Sequence, residues 1–401
     1  MGRVTWSAVT LCYREMQPWG CTMWLALLLF SCAAPKSSES SQDDSAVQDT
    51  QAPVSLPLPE SGYQLVTPTY EVPAYSEVEI CTVTRLEPKA DEQLYWVNAM
   101  ESLVTDGTHH MNVLIGEFSF LDAFVGEGSS EAALGAEVGQ HPCSELETME
   151  RAYTIFPSQR DNQQITLPQG VAAPMTAPLL VIFSHHYVNA TPDPIQINAV
   201  LNIETIPAEE VTDVASLIFT DIPELEVPSG EDRVFSRTCV VDRDVEVALV
   251  SSHNHEWGEC ATMNAYDGDT EAVSPEPFFV NKSWEQPPIL HFEPGSYSLK
   301  AGDGIHWACH YSNDTDRTLI NDGTAEGEMC VFAAVVYPSL WTTAQVEETV
   351  MGGDLGGLIS LMGDVMGPCD TTIDSADSPW LPDQSGACAD LAQTESNTLG
   401  D

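Results

Sequence analysis

Along most of the chain apolar and polar residues alternate with the period of two that puts successive side chains on opposite faces of a strand. Such alternation, or an apolar run enriched in β-branched residues, marks YEVPAYSEVEICTVTRL (70–86), MNVLIGEF (111–118), APLLVIFSHHYV (177–188), IQINAVLNIETI (195–206), RDVEVALVSSHNH (243–255), GSYSLKAGDGIHWACHY (295–311) and MCVFAAVVYP (329–338). Pro, Gly, Asn and Asp separate these runs, as turns between short antiparallel strands require. Helical periodicity is scarce before residue 342, and the one helix expected lies within TTAQVEETVMGGDLGGLISLMGDV (342–365). Many short strands of this kind pack as sandwiches, so the sequence predicts an all-β chain of two β-sandwich domains in tandem with a short, partly helical C-terminal tail. The acidic, Pro-containing stretch IETIPAEEVTDVASL marks the boundary, giving domains over 62–207 and 208–345 and a tail over 346–401.

Five histidines and one methionine stand out against this background. They are His109 and His110 in THHM, His186 in SHHYVN, His253 and His255 in SSHNHEWG, and Met329 in GEMC. On a strand, His253 and His255 fall on one face, which serves a metal or a plain surface equally well. His109 and His110 fall on opposite faces, so they share a ligand only at a strand end or a local twist. A methionine beside a cysteine is ordinarily core packing. Together, imidazole and thioether suit a metal that moves between Cu(II) and Cu(I), because soft sulfur favours the reduced ion and nitrogen tolerates both. Glu256, Asp106 and Tyr187 are the sequence neighbours expected to orient the imidazoles.

The order HHM, HYxN, HxH, EMC resembles the copper type II, ascorbate-dependent monooxygenases, the family of peptidylglycine α-hydroxylating monooxygenase and dopamine β-monooxygenase. The likeness extends over roughly residues 61 to 345 and includes AGDGIHWACHYSN and EGEMCVFAAVVYP. It implies two jelly-roll domains, each with one copper. His109, His110 and His186 would hold an electron-storing ion, with His185 an extra neighbour. His253, His255 and Met329 would hold the ion at which O2 and a small-molecule substrate react, with ascorbate as reductant. The resemblance also implies a Cys309–Cys330 disulfide and pairs Cys239 with Cys369 or Cys388. Cys81 matches a family cysteine whose usual partner is missing, and Cys143 is the expected substitute. Cys260 has no counterpart and reads as a free thiol near His255. The arginine by which the peptide-processing branch grips a carboxylate is Ser251 here, and the residues that assist it are Val331 and Ala333, which argues against peptide substrates. Trp257, Trp284 and Trp307 are candidates to line an apolar pocket, although tryptophans of a sandwich core would look the same.

Composition narrows the setting. Thirteen basic residues against 61 acidic ones give a net charge of −48, which argues against nucleic-acid binding and against docking on anionic lipid. MWLALLLF (23–30) is apolar but too short to span a bilayer, and LFSCAAP resembles a bacterial lipobox, so residues 1–32 read as a signal peptide with Cys32 as the lipidated residue. Residues 33–61 read as a disordered linker. Beyond the leader the cysteines number eight, enough for four disulfides in an oxidising compartment. The expectation is an extracytoplasmic copper monooxygenase whose one membrane contact is a lipid anchor. A non-enzymatic copper-binding surface lipoprotein, for capture or sensing, and an adhesion module whose histidines bind zinc or nothing remain open alternatives.

Overall fold

The computed structural model describes residues 53–89, 92–116, 119–124, 128–135, 137–146, 152–158, 160–322, 327–354, 357, 369–374, 388 and 391–399. The expected signal peptide, with Cys32, and the linker as far as residue 52 lie outside the described residues. From Val54 onward the linker is anchored: Val54 N donates to Asn198 Oδ1, and Leu56 and Pro57 carbonyls accept from Gln64 and Asn202 amides. Packing therefore begins ahead of Gly62, where the sequence placed its onset.

The chain is all-β, built as two double-sheet sandwiches. In the first half one sheet runs Gly62–Val66, Ala199–Ile206, Leu94–Val104, Val171–Thr176 and Asp213–Val214, with Asn162–Thr166 also on Leu94–Val104. The facing sheet runs Gly139–Pro142, Ser76–Leu86, Leu179–Asn189, Thr108–Gly116 and Ala152–Ser158. Trp96, Met111, Val113, Phe156, Phe183 and Leu201 fill the space between them, each large side chain contributing roughly 1.5–3 kcal/mol by leaving water. The run LLVIF is apolar without alternation because it is buried on both faces. Val181 and Phe183 enter the main core, whereas Leu180 and Ile182 join Cys81, Leu114 and Cys143 behind the sheet.

The second half repeats the plan. Ser216–Asp221, Val331–Tyr337, Val245–His253 and Ile289–His291 form one sheet, with Ser298–Leu299 also on Val245–His253. It faces Ala272–Val273, Gly258–Asp267, Gly304–Ser312, Asp232–Val241 and Cys369–Asp374, with Phe279–Asn281 on Gly258–Asp267. Between them lie Val250, Met263, Ile305, Trp307, Phe332 and Val336. Among the described residues the sheets change hands between Val214 and Ser216, since Asp213–Val214 still pairs in parallel with Val171–Thr176. A further cluster, including Leu167, Val171, Leu249 and Tyr337, packs the two sandwiches together.

The described residues from 342 onward are not a separate appendage. Thr342 caps the helix Thr343–Met351 in a reciprocal box with Gln345, and Val346 and Val350 enter the core of the first sandwich. Residues 369–374 instead add an edge strand to the second sandwich. Thr394 and Asn397 hydrogen-bond along Val280, Ile289 and His291.

Disulfides join Cys81 to Cys143 and Cys309 to Cys330, as expected. Cys260 is bonded to Cys388, which corrects the expectation of a free thiol and removes Cys388 as a partner for Cys239. Cys239 is itself disulfide-bonded, and the backbone register sets Cys369 opposite Val241 on the same strand pair. This degree of cross-linking belongs to an oxidising, extracytoplasmic compartment. Among the described residues no helix is long and apolar enough to cross a membrane.

Candidate metal centre

His110 sits on Thr108–Gly116 directly opposite His186 on Leu179–Asn189, and the next pair is Thr108 with Tyr187. His109 is thus the extra residue of a β-bulge. The bulge cancels the alternation that would send adjacent side chains to opposite faces and turns both rings toward His186. The His109 Nδ1 atom lies 3.1 Å from His110 Nδ1 and 3.1 Å from His186 Nδ1. Bonds of ~2 Å to one ion would set such nitrogens roughly 3.3–3.5 Å apart, close to these two separations, and one ring nitrogen from each of the three histidines lies within 4.8 Å of the others. His186 Nε2 lies 2.6 Å from Glu77 Oε1; as the donor to that carboxylate it leaves the Nδ1 lone pair facing its two neighbours. His185, one residue earlier, points away and pairs with Thr108 Oγ1, in keeping with its expected role as a bystander. The turn before His109 is fixed by Gly107. Its φ is +85°, a Cβ there would fall 2.8 Å from the Tyr187 hydroxyl, and that hydroxyl donates to the Asp106 carbonyl.

The second group forms where strands end. His253 closes Val245–His253 and pairs with Val331, the first residue of the neighbouring strand. Two steps beyond that pair, on either chain segment, come His255 and Met329. The His253 and His255 rings lie 5.0 Å apart, and His255 Nδ1 donates to the Gly327 carbonyl across 3.0 Å, leaving its Nε2 free. The segments are joined by Glu328, fully buried, whose carboxylate accepts from the backbone amides of His255, Trp257 and Met329 at 2.8, 2.7 and 3.2 Å. Burial raises the Glu328 pKa to about 7, against the opposing effect of those amides. Cys330 faces the core in its bridge to Cys309, and Tyr311 donates to the Met329 carbonyl, so the backbone on both sides of Met329 is held. Gly258 completes the turn, because a Cβ there would meet the Asn254 amide at 2.0 Å.

All six sequence-predicted donors, His109, His110, His186, His253, His255 and Met329, line one cavity of about 1360 Å³ between the sandwiches. Four of the rings are kept neutral: His109 and His110 are pushed down by burial and then by His186, His253 to about 3 by burial and then by His255, and His255 by burial. Neutral imidazole is the form that ligates metal. Among the described residues, His109, His110 and His186 are the one group of three His, Cys or carboxylate residues in this cavity whose ligand atoms all lie within 4.8 Å of one another; Met329 is a donor of another kind, a thioether.

Of the three candidate tryptophans, Trp284 reaches from the second half to lie 5.0 Å from the His109 ring and lines the cavity. Trp307 is core, stacked on Phe332, and Trp257 stacks under Arg317. Sequence adjacency pointed to Glu256, Asp106 and Tyr187 as orienting groups, whereas His186 takes Glu77 and His255 takes the Gly327 carbonyl. Glu77 was findable only through the alternation of SEVEIC, which puts Glu77 and Glu79 on one face beside the HHY strand.

No family model matches this chain, and no curated protein matches it. Among solved structures there is a weak likeness to a chain from the atomic structure of Sulfolobus turreted icosahedral virus, at TM-score 0.19 and 9% identity, spanning 67% of this chain and 59% of that one.

Proposed function

We propose that the chain is a copper-dependent monooxygenase that uses O2 and ascorbate, or another one-electron reductant, to hydroxylate a C–H bond of a small molecule. The observation that carries this reading is the opening of both donor sets onto one predominantly apolar cavity. Three neutral imidazoles suit an ion that changes charge without opening a coordination position, and two imidazoles with a weak thioether leave a position for an exogenous ligand. Bound copper would supply one-electron steps and reaction with dioxygen. The chain's own residues hold the imidazole tautomers through Glu77 and the Gly327 carbonyl, fix Met329 against His255 through Glu328, and close His109 under Trp284. Ser251, Val331 and Ala333 line the cavity without charge, and among the described residues no Lys or Arg does, so a substrate carboxylate finds no partner.

Copper capture without turnover would use the same donors but has no need of a large apolar cavity. Copper stoichiometry of the purified full chain, followed by ascorbate-dependent oxygen uptake across a substrate panel, separates the two: about two coppers per chain with substrate-coupled uptake supports the monooxygenase, and two coppers without uptake supports capture. Lipid attachment at Cys32 is part of the proposal. Labelling with a fatty-acid analogue should tag the wild type and spare Cys32→Ala.

A further inference from the structure

Behind the second sandwich, away from the cavity, lies another convergence of metal-binding atoms. On Gly304–Ser312 alternate residues Ile305, Trp307, Cys309 and Tyr311 enter the core, which sends His306, Ala308 and His310 to the outer face of the sheet. On the neighbouring strand Ala261 and Met263 are core, so Cys260 shares the outer face, and it pairs directly with His310. Cys388 arrives from the C-terminal region and bonds to Cys260. One ligand atom each from Cys260, His310 and Cys388 lies within 4.8 Å of the others. The outer face of a sheet is ordinarily wet, yet the three residues are 0%, 3% and 6% exposed. The His310 Nδ1 atom is buried without a hydrogen-bond partner among the described residues, a state that costs about 1–3 kcal/mol wherever a polar atom has no compensating ligand.

We propose that Cys260, Cys388 and His310 form a thiol-gated metal site, closed in the disulfide form and opened by a dithiol reductant, that takes a d10 cation of the Zn(II) or Cu(I) type. Opening breaks the bond between the two Sγ atoms. Two electrons and two protons pass from the dithiol, which closes to its own disulfide, and leave two thiols. Cation binding releases both thiol protons to solvent, while His310, kept neutral by burial, contributes a nitrogen lone pair. Two thiolates and an imidazole are a donor set for soft or borderline d10 ions and a poor one for Mg or Ca. In either state Cys388 stays clamped to the sheet, once by a covalent bond and once by a shared ion. The proposal is independent of whether the cavity histidines hold copper, because none of the three residues lines that cavity.

The test uses the full chain, treated anaerobically with graded dithiothreitol, then alkylated and mapped by mass spectrometry, in parallel without metal, with Zn(II) and with Cu(I). The expected result is that Cys260 and Cys388 become reactive together while near-ultraviolet circular dichroism is retained, and that one or both cations shield them. His310→Ala should need at least ~10-fold more metal for equal shielding, since losing a mere hydrogen-bonding partner of a ligand already costs that much. If His310→Ala does not fold, His310→Gln, which keeps a polar side chain of similar reach, takes its place. Equal alkylation with and without metal, undiminished shielding in the His310 variants, or loss of the native circular dichroism before the Cys260–Cys388 bond opens would each overturn the proposal.

Discussion

The two donor sets of the cavity are built by opposite means. The first sits inside a strand pair, where a bulge at His109 and cross-strand register do the positioning. The second lies at and beyond the ends of its strands, where the ladder is reduced to a single bridge between Asn321 and Glu328 and the buried Glu328 carboxylate gathers three amides. A ladder-built site resists movement because displacing one ligand breaks several backbone hydrogen bonds. A site gathered around one side chain depends on that side chain. This matches the roles proposed for them: an electron store gains from rigidity, and a reaction centre needs an open position and a loosely held ligand.

The largest expected effects come from removing ligands. Met329→Ile, close in volume and apolarity, should keep the fold and the first ion while abolishing ascorbate-driven hydroxylation; His109→Ala should lose the other ion and also abolish activity. Each should carry about one copper where the wild type carries about two. Metal analysis with X-ray absorption checks both, and full loading, sulfur scattering and activity in Met329→Ile would return Met329 to core packing. Next comes Glu328→Ala, which leaves three amides without their acceptor. Urea titration should show a loss of ~3 kcal/mol or more, and metal should be lost from the second site alone; if both sites lose metal equally, the contrast between ladder and gathered loop fails.

Replacing Cys309 and Cys330 together should cost about 2–4 kcal/mol, read by thermal unfolding, and should weaken the second site's metal affinity without touching the first. The last effect is confined to acid. His306, outside both sites and bonded to Thr238 Oγ1, is held down to about 4 by burial, against about 6.5 in an unfolded chain. Between those values the unfolded state binds a proton that the folded state refuses. Stability present above pH 6.5 is therefore lost as the pH falls toward 4, by up to ~3 kcal/mol, and His306→Gln should flatten part of that slope in pH-dependent urea unfolding.

The parts of this arrangement legible in the sequence were the local ones. Alternation gave the strands, the adjacent histidines of THH called for a strand end or a local twist, and the stretch from 342 held the expected helix, Thr343–Met351. What could not be read was long-range pairing. Glu77 reaches His186 only because Ser76–Leu86 and Leu179–Asn189 are neighbours in a sheet. Cys260 was misjudged because nothing local signals that Cys388 returns to it across a separation of 128 residues. The packing of Val346 and Val350 was hidden for the same reason: a helix shows which face is apolar, not which half of the molecule it will cover.

That last contact bears on how the molecule is made. A chain threaded out from its N-terminus ordinarily finishes its first domain before the second is complete. Here the first sandwich receives Val346 and Val350 from a helix that follows strand Val331–Tyr337 of the second sandwich, so its core is complete only once that part of the polypeptide has emerged. A fragment ending at residue 207 would lack both of these side chains from its core.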